Sequence, residues 1–301
     1  MTVADRSAVI TAGRAIGGGR RLPLTWIGVI PFFAYVGLFL LLPTGIVVAG
    51  AFLDKNGNPT FAEIQTTLSQ DYVVRAYWNS LLLSLVSAVV GAVAGAILAY
   101  AIVLGSPHGL LRRVVTSMAG VLAQFGGVTL AFAFIATIGG AGFLTVFLQD
   151  HGIDIYPNGI WLYELPGLVV VYLYFQIPLM VLVFLPALDG VRPQWREATE
   201  SLGGNSWHYW RYVAGPLLFP AFLGATLLLF ANAFSAYATA AALINQGNPI
   251  VPLAIGNLIQ SEVGLSDPGQ AKALALGMVV IVAIVMVSYA ILQRRTARWL
   301  Q

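Results

Sequence analysis

Reactive side chains are sparse in this 301-residue sequence, and they do not converge on one centre. His108, His151 and His208 fall in three separate polar segments, so no shared metal site is expected from them. Asp150 and Asp154 have the spacing of two calcium ligands but lack the rest of the set. The absence of cysteine excludes disulfides, thiol catalysis and thiolate-held metals. No GxxxxGK[ST] phosphate loop occurs, so the chain is not expected to hydrolyse ATP or to hold a cofactor itself. The segment that stands apart is 197–216. It carries Glu197-Ala198-Thr199, the adjacent Gly203 and Gly204, the aromatic Trp207, Tyr209 and Trp210, and then Val213 and Pro216. Such a polar stretch belongs in water or against another protein, because hydrocarbon would leave its groups unpaired. The plainest role for Glu197 is a carboxylate held in the first turn of a helix by the helix dipole.

Almost everything around that segment is apolar. Hydrophobic residues make up 58% of the chain and charged residues 9%, and the mean hydropathy is +0.83. Soluble domains carry about 25% charged residues, so an integral membrane protein is expected. Six spans of sufficient length can be read off: 26–52, 77–104, 114–138, 167–188, 216–243 and 273–292. The first is too long for the core of a signal peptide and is read as an uncleaved span following a basic tail over residues 1–25. Pro31 and Pro43 are expected to kink it. Residues 26–301 are read as one all-α, six-span domain, with a polar loop over 189–215 between spans 4 and 5. Pro193 suits the first turn of one short helix there, Gly203-Gly204 its end, and Asn205 or Ser206 the cap of a second.

Charge gives the orientation. With six spans both termini share one side, and that side receives every Lys and Arg except Lys55, Arg75 and Lys272. Every acidic residue except Asp5, Asp189, Glu197 and Glu200 falls on the other. The positive-inside rule then puts both termini and the 189–215 loop in the cytoplasm. None of the six expected spans contains Asp, Glu, Lys, Arg or His. A charge at mid-membrane costs at least ~2.5–3.5 kcal/mol and is kept for function, so its absence argues against an ion-coupled carrier and against an intramembrane acid–base enzyme. The uncharged polar groups Gln124, Gln176, Asn232, Ser235 and Tyr237 are the candidates for lining a path; bonding between helices is the equally simple role for them. Gly91 and Gly95, one helical turn apart, are expected to admit a close neighbouring helix.

The spacing Glu197-Ala198-Thr199, Gly203, Val213, Pro216 resembles the EAA signature of permease subunits in binding-protein-dependent ATP-binding cassette importers, with Thr199 and Gly215 departing from it. Phe230-Ala231-Asn232-Ala233-Phe234-Ser235-Ala236-Tyr237 is similar to permeases of the spermidine/putrescine, iron, sulfate, thiamine and phosphonate importer group. The resemblance implies a bacterial inner-membrane subunit that takes up a small polar solute. Its partners would be an ATPase dimer holding ATP and magnesium, a second permease identical or related to it, an extracytoplasmic solute-binding protein and membrane lipid, with no nucleic acid. It also implies that the loop docks on the ATPase. Glu197 would accept hydrogen bonds or an arginine, Ala198 would allow close packing, Gly203 would make the turn, Trp207, Tyr209 and Trp210 would supply anchor area, and Pro216 would open the next span. By resemblance alone a polyamine is the first choice of solute, with phosphonate, iron, sulfate and thiamine as alternatives. A receptor without a transport path and a membrane enzyme subunit are the other classes to exclude.

Overall fold

The computed structural model describes residues 25–53, 57–105, 109–157, 159–244, 247, 249–260 and 267–297. The tail over 1–25, apart from Thr25, lies outside them, as do Lys55, His108, Glu262 and Arg298. Two units are described separately, one up to Val47 and one from Val48 onward. In the first, helix α1 (Thr25–Val36) passes through a π turn (Gly37–Leu41) into α2 (Leu42–Gly50). Pro31 is accommodated within α1; the irregular turn comes just before Pro43. Proline has no N–H for the carbonyl one turn back, and the ladder slips there, Leu42 N–H bonding to Gly37 C=O five residues earlier.

From Val48 onward the described residues form helices and one isolated bridge between Leu53 and Pro59, without strands. A short α3 (Ala62–Leu68) precedes the 34-residue α4 (Asp71–Leu104). Then follow α5 (Leu110–Gln124), α6 (Gly127–Ile138), α7 (Phe143–Asp150), α8 (Leu165–Asp189), α9 (Pro193–Ser201), α10 (Ser206–Tyr209), α11 (Gly215–Ser235), α12 (Ala238–Leu243), α13 (Val251–Gln260) and α14 (Pro268–Ala297). Six stretches are long and apolar enough to cross a membrane: Val29–Gly50, Asp71–Leu104, Gly127–Asp150, Leu165–Asp189, Ser206–Ser235 and Pro268–Arg294. Their outer surfaces are greasy, with Ile97, Phe132, Phe219 and Ile284 all exposed.

Three expectations are corrected. The span placed at 114–138 is two helices, α5 and α6, and the third membrane-length stretch is instead α6 with α7. The break falls at Gly126, which is extended, and Gly127, whose φ of +74° disfavours any residue with a Cβ. The span placed at 216–243 likewise ends at Ser235, and the chain restarts as α12 after Ala236 and Tyr237. Segments read as loops hold helices α7 and α13. The candidate spans also run beyond the expected limits and take in Asp71, Arg75, Asp150, Asp189, His208, Arg211, Lys272 and Arg294 towards their ends.

The second unit is held by small-residue contacts. Helix α4 packs most extensively on α8. A Cβ placed on Gly91 would lie 2.8 Å from the Gln176 Cβ, and one on Gly95 would lie 2.5 Å from the Met180 Cβ and 2.7 Å from the Ile177 carbonyl oxygen. Both glycines are therefore what lets the two backbones approach, as their spacing implies. Around this seam lie Ala88, Ala92, Met180, Val181, Phe184, Leu218 and Leu229, all buried. At the other end α4 holds α13: the buried Ser80 hydroxyl accepts the Val251 N–H at 2.8 Å, and Asn79 donates to the Pro249 carbonyl at 3.0 Å. Helix α14 joins through the Tyr77 hydroxyl, which donates to the Leu274 carbonyl at 2.8 Å.

Candidate functional site

The two helix breaks, at Gly126–Gly127 and at Ala236–Tyr237, meet. Thr239, at the start of α12, ties them together: its hydroxyl oxygen accepts the Gly127 N–H at 2.9 Å and donates back to the Gly127 carbonyl at 3.2 Å. The same break is braced from α8, where the fully buried Tyr172 donates its hydroxyl to the Ala236 carbonyl at 3.0 Å. Irregular backbone inside a membrane protein survives only where protein or a wet cavity satisfies it, and here protein groups do so. A cavity of about 290 Å³ opens between the breaks, lined by Gly126, Gly127, Asn232, Ser235, Tyr237 and Thr239 among others. It holds amide, hydroxyl and backbone groups and, among the described residues, no charged side chain. The Tyr237 ring lies over Gly256 of α13, where an added Cβ would come within 3.0 Å of it.

Of the five polar residues singled out in the spans, Asn232, Ser235 and Tyr237 thus share one cavity. Gln124 is exposed at the last residue of α5, beside the break, and is not part of the wall. Gln176 is fully buried on α8, its amide donating to the Leu229 carbonyl of α11 at 3.0 Å and its Oε1 without a partner. Thr239 and Tyr172 are polar groups of expected spans that could serve a path, but their bracing of the two breaks, and the break at Gly126–Gly127 itself, are not legible in the sequence. A double glycine two residues after a glutamine, inside an apolar run, is the local signal of such a break.

The 189–215 loop folds as its turn residues dictate. Pro193 stands at the first position of α9, and Gly203 takes a φ of +78° after it. Asn205 caps α10, its side chain accepting the His208 N–H at 3.1 Å, with the reciprocal contact from the His208 ring to the Asn205 N–H. A π turn (Trp210–Ala214) then carries the chain into α11, with Pro216 as its second residue. Glu197 and Ala198 are exposed on α9, and the Glu197 carboxylate enters neither ion pair found among the described residues. Those pairs are Arg196–Glu200 at 3.0 Å, within α9, and Arg112–Asp189, which joins α5 to the end of α8. The three aromatic residues expected as anchors divide. Trp207 is 66% exposed, whereas Trp210 sits edge-on against Tyr100 of α4 at 5.2 Å and beside Tyr209. Trp210 thus spends much of its surface inside the chain. Leu202, 89% exposed at the turn, is an apolar tip not singled out in sequence.

The bundle, the broken helices and the exposed loop can be set against known proteins. The profile of the family described as binding-protein-dependent transport system inner membrane component matches residues 143–300, more than half of the chain. The chain belongs to this family. The matched residues run from α7 to beyond α14 and include the 189–215 loop and the Ala236–Tyr237 break, while the Gly126–Gly127 break lies outside them. The spermidine/putrescine transport system permease protein PotB of Haemophilus influenzae is 25% identical to this permease over 263 residues, covering 85% of this chain and 90% of PotB. The sulfate transport system permease protein CysT of Escherichia coli is 25% identical over 288 residues, covering 94% and 98%. Among solved structures, a chain of the bacterial alginate ABC transporter, in complex with an alginate pentasaccharide-bound periplasmic protein, superposes with a TM-score of 0.69 at 17% identity, covering 92% of this permease and 95% of that chain. The six membrane-length stretches and the all-helical architecture are those of ABC importer permeases.

Proposed function

We propose that this permease forms half of the path by which an ATP-driven importer takes up a small polar solute, a polyamine first and phosphonate, iron, sulfate or thiamine as alternatives. The observation that carries the reading is the cavity where two interrupted helices meet. A bundle that needed only to be stable would have no reason to break both helices at one level and wall the gap with Asn232, Ser235, Tyr237 and Thr239. Two helices, α5 and α11, end there, and the last carbonyls of a helix carry partial negative charge. Two others begin there, but the leading N–H of α6, on Gly127, is already taken by Thr239. The Ala236 carbonyl at the end of α11 is likewise taken, by Tyr172, so the choice of a polyamine rests on the solute named for PotB. Asn232, Ser235 and Tyr237 contact the solute; Gln124 stands at the mouth, and Gln176 fixes α8 to α11 behind it.

Energy enters through the 189–215 loop, which faces the cytoplasm by the positive-inside count. Its exposed Glu197, Ala198, Leu202 and Trp207 meet the ATPase, Gly203 sets the turn and Pro216 passes the movement into α11 as a rigid lever. ATP and magnesium sit on that partner, and this chain catalyses nothing. A solute-binding protein delivers from the far side, as the alginate transporter with its periplasmic protein illustrates. A second permease, a copy or a relative, supplies the other half. Purification under mild detergent tests the assembly: co-elution of a phosphate-loop ATPase and a second six-span chain supports it, and a chain that elutes alone from several detergents refutes it. Uptake of labelled spermidine, putrescine and sulfate by the assembled complex then tests the solute.

A further inference from the structure

A second site lies on the outside of the bundle, away from the path. Ala96 and Ile97 of α4, Phe184 of α8, and Leu218 and Phe222 of α11 wall an apolar groove of about 360 Å³. A smaller hollow of about 110 Å³ adjoins it, sharing Tyr100, Leu188, Trp210 and Leu218 and adding Tyr209 and Arg196. The greasy part therefore lies between three membrane-length helices, and the polar end lies at the loop that leaves the membrane. Trp210, edge-on to Tyr100, marks the junction, where an indole with one apolar and one wet side is favoured.

We propose that this groove binds one anionic phospholipid, an acyl chain lying along Ala96, Phe184 and Phe222 and the phosphate meeting Arg196. The shape and the sequence of chemistry along the groove argue for this occupant. The long apolar section gives a solute or a soluble partner nothing to bond, and its mouth offers a guanidinium and two tyrosines. Arg196 bonds Glu200 through Nε at 3.0 Å, and its side chain is 53% exposed. A guanidinium has five N–H donors, so this pairing leaves others for a phosphate. Glu200 is the acid that competes with the lipid for this arginine. Of the other carboxylates on α9 and at the end of α8, Asp189 is held by Arg112, and Glu197, next to Arg196 in sequence, enters neither ion pair among the described residues. Nothing in this inference depends on which solute is carried or on the role of Glu197.

Native mass spectrometry of the full-length chain in mild detergent, titrated with phosphatidylglycerol and separately with phosphatidylcholine, tests the site. Phosphatidylglycerol should form a first adduct at about fivefold lower concentration, the contribution of one cation at a headgroup. Arg196→Gln should retain the adduct and lose the preference, Arg196→Lys should keep most of it, and Glu200→Gln should strengthen it. Ala96→Phe, which fills the slot, should abolish the first adduct for both lipids. Ile97→Trp, at a more exposed wall position, makes the same test if Ala96→Phe does not fold. Equal binding of the two lipids by the native chain would mean ordinary boundary lipid and overturns the proposal. So would a preference untouched by Arg196→Gln together with an adduct untouched by filling the slot. A co-purified protein chain that blocks lipid from the groove would assign the surface to a protein partner and equally overturn it.

Discussion

Thr239 and Gly127 exchange both of their hydrogen bonds across 112 residues of chain, the Thr239 hydroxyl accepting the Gly127 N–H and donating to the Gly127 carbonyl. Each atom pair closes a gap that a helix break has opened. Thr239 is 3% exposed, so the pair it makes with Gly127 is set within the packed protein. Thr239→Val keeps the shape and leaves the Gly127 N–H, which no helical carbonyl can reach, without its partner, at a cost of about 1–3 kcal/mol. The variant is expected to unfold at lower temperature in detergent and to lose uptake. Thr239→Ser, which keeps the hydroxyl, is expected to retain most of both. Retention by Thr239→Val with loss by Thr239→Ser would instead assign the role of Thr239 to its methyl group.

Gly95 and Gly203 are both required, for opposite reasons, and their variants separate the two. At Gly95 the backbone is ordinary helix, but a Cβ would overlap Met180 and the Ile177 carbonyl, and backbone cannot step aside cheaply. Gly95→Leu is expected to cost at least ~1–3 kcal/mol through overpacking and to lower the thermal midpoint. Assembly with the second permease should fail with it.

At Gly203 nothing lies within reach of an added Cβ, and the whole cost is conformational, set by φ of +78°. Gly203→Val is expected to distort the turn at a cost of about 1–2 kcal/mol, confined to the loop. The bundle's thermal midpoint should hold while ATPase binding, measured by co-purification, falls. Gly203→Asn, which tolerates the left-handed region, should lose less.

These contrasts mark how much the sequence discloses. Proline, glycine and asparagine act locally, so Pro193, Gly203 and Asn205 announce the two short helices of the loop within a residue or two. Apolar length likewise gives the number of membrane-length stretches. The cavity is another matter. Hydropathy runs unbroken through Phe125–Thr129 and Ala236–Leu243, because interrupted helices are built from the same apolar residues as continuous ones. Their interruption depends on bonds between residues far apart in sequence, Thr239 with Gly127 and Tyr172 with Ala236. Trp210 is similar: its chemistry suits an anchor for a partner, and only packing against Tyr100 shows that it also serves this chain.

Glu197 stands on an exposed face of α9 outside both ion pairs, so its replacement should leave the fold alone. Glu197→Arg is expected to insert normally, with thermal stability changed by no more than about 0.5 kcal/mol, the range for surface positions without special contacts. Uptake should be abolished and the ATPase should no longer co-purify. Normal uptake would remove Glu197 from the coupling role.

Asn232, Ser235 and Tyr237 allow the path to be tested without disturbing the frame. Ser235 bonds to the Ala231 carbonyl at 2.9 Å within its own helix, and the Tyr237 ring rests on Gly256, so Ser235→Ala and Tyr237→Phe remove hydroxyls while keeping the packing. Asn232 is exposed to the cavity, and Asn232→Leu replaces its amide with an apolar group of similar size. If each group bonds the solute once, each loss is worth about 0.5–1.5 kcal/mol, or about two- to tenfold in transport efficiency. The solute affinity of the binding protein and the co-purification of the ATPase should both be unchanged, which separates a path defect from a docking defect. Gln176→Leu gives the contrast: its amide is buried and bonded to Leu229, so its effect is expected in the thermal midpoint first. If Asn232→Leu lowered stability and left uptake per folded complex intact, the cavity would be a joint between helices, and the solute would have to cross elsewhere.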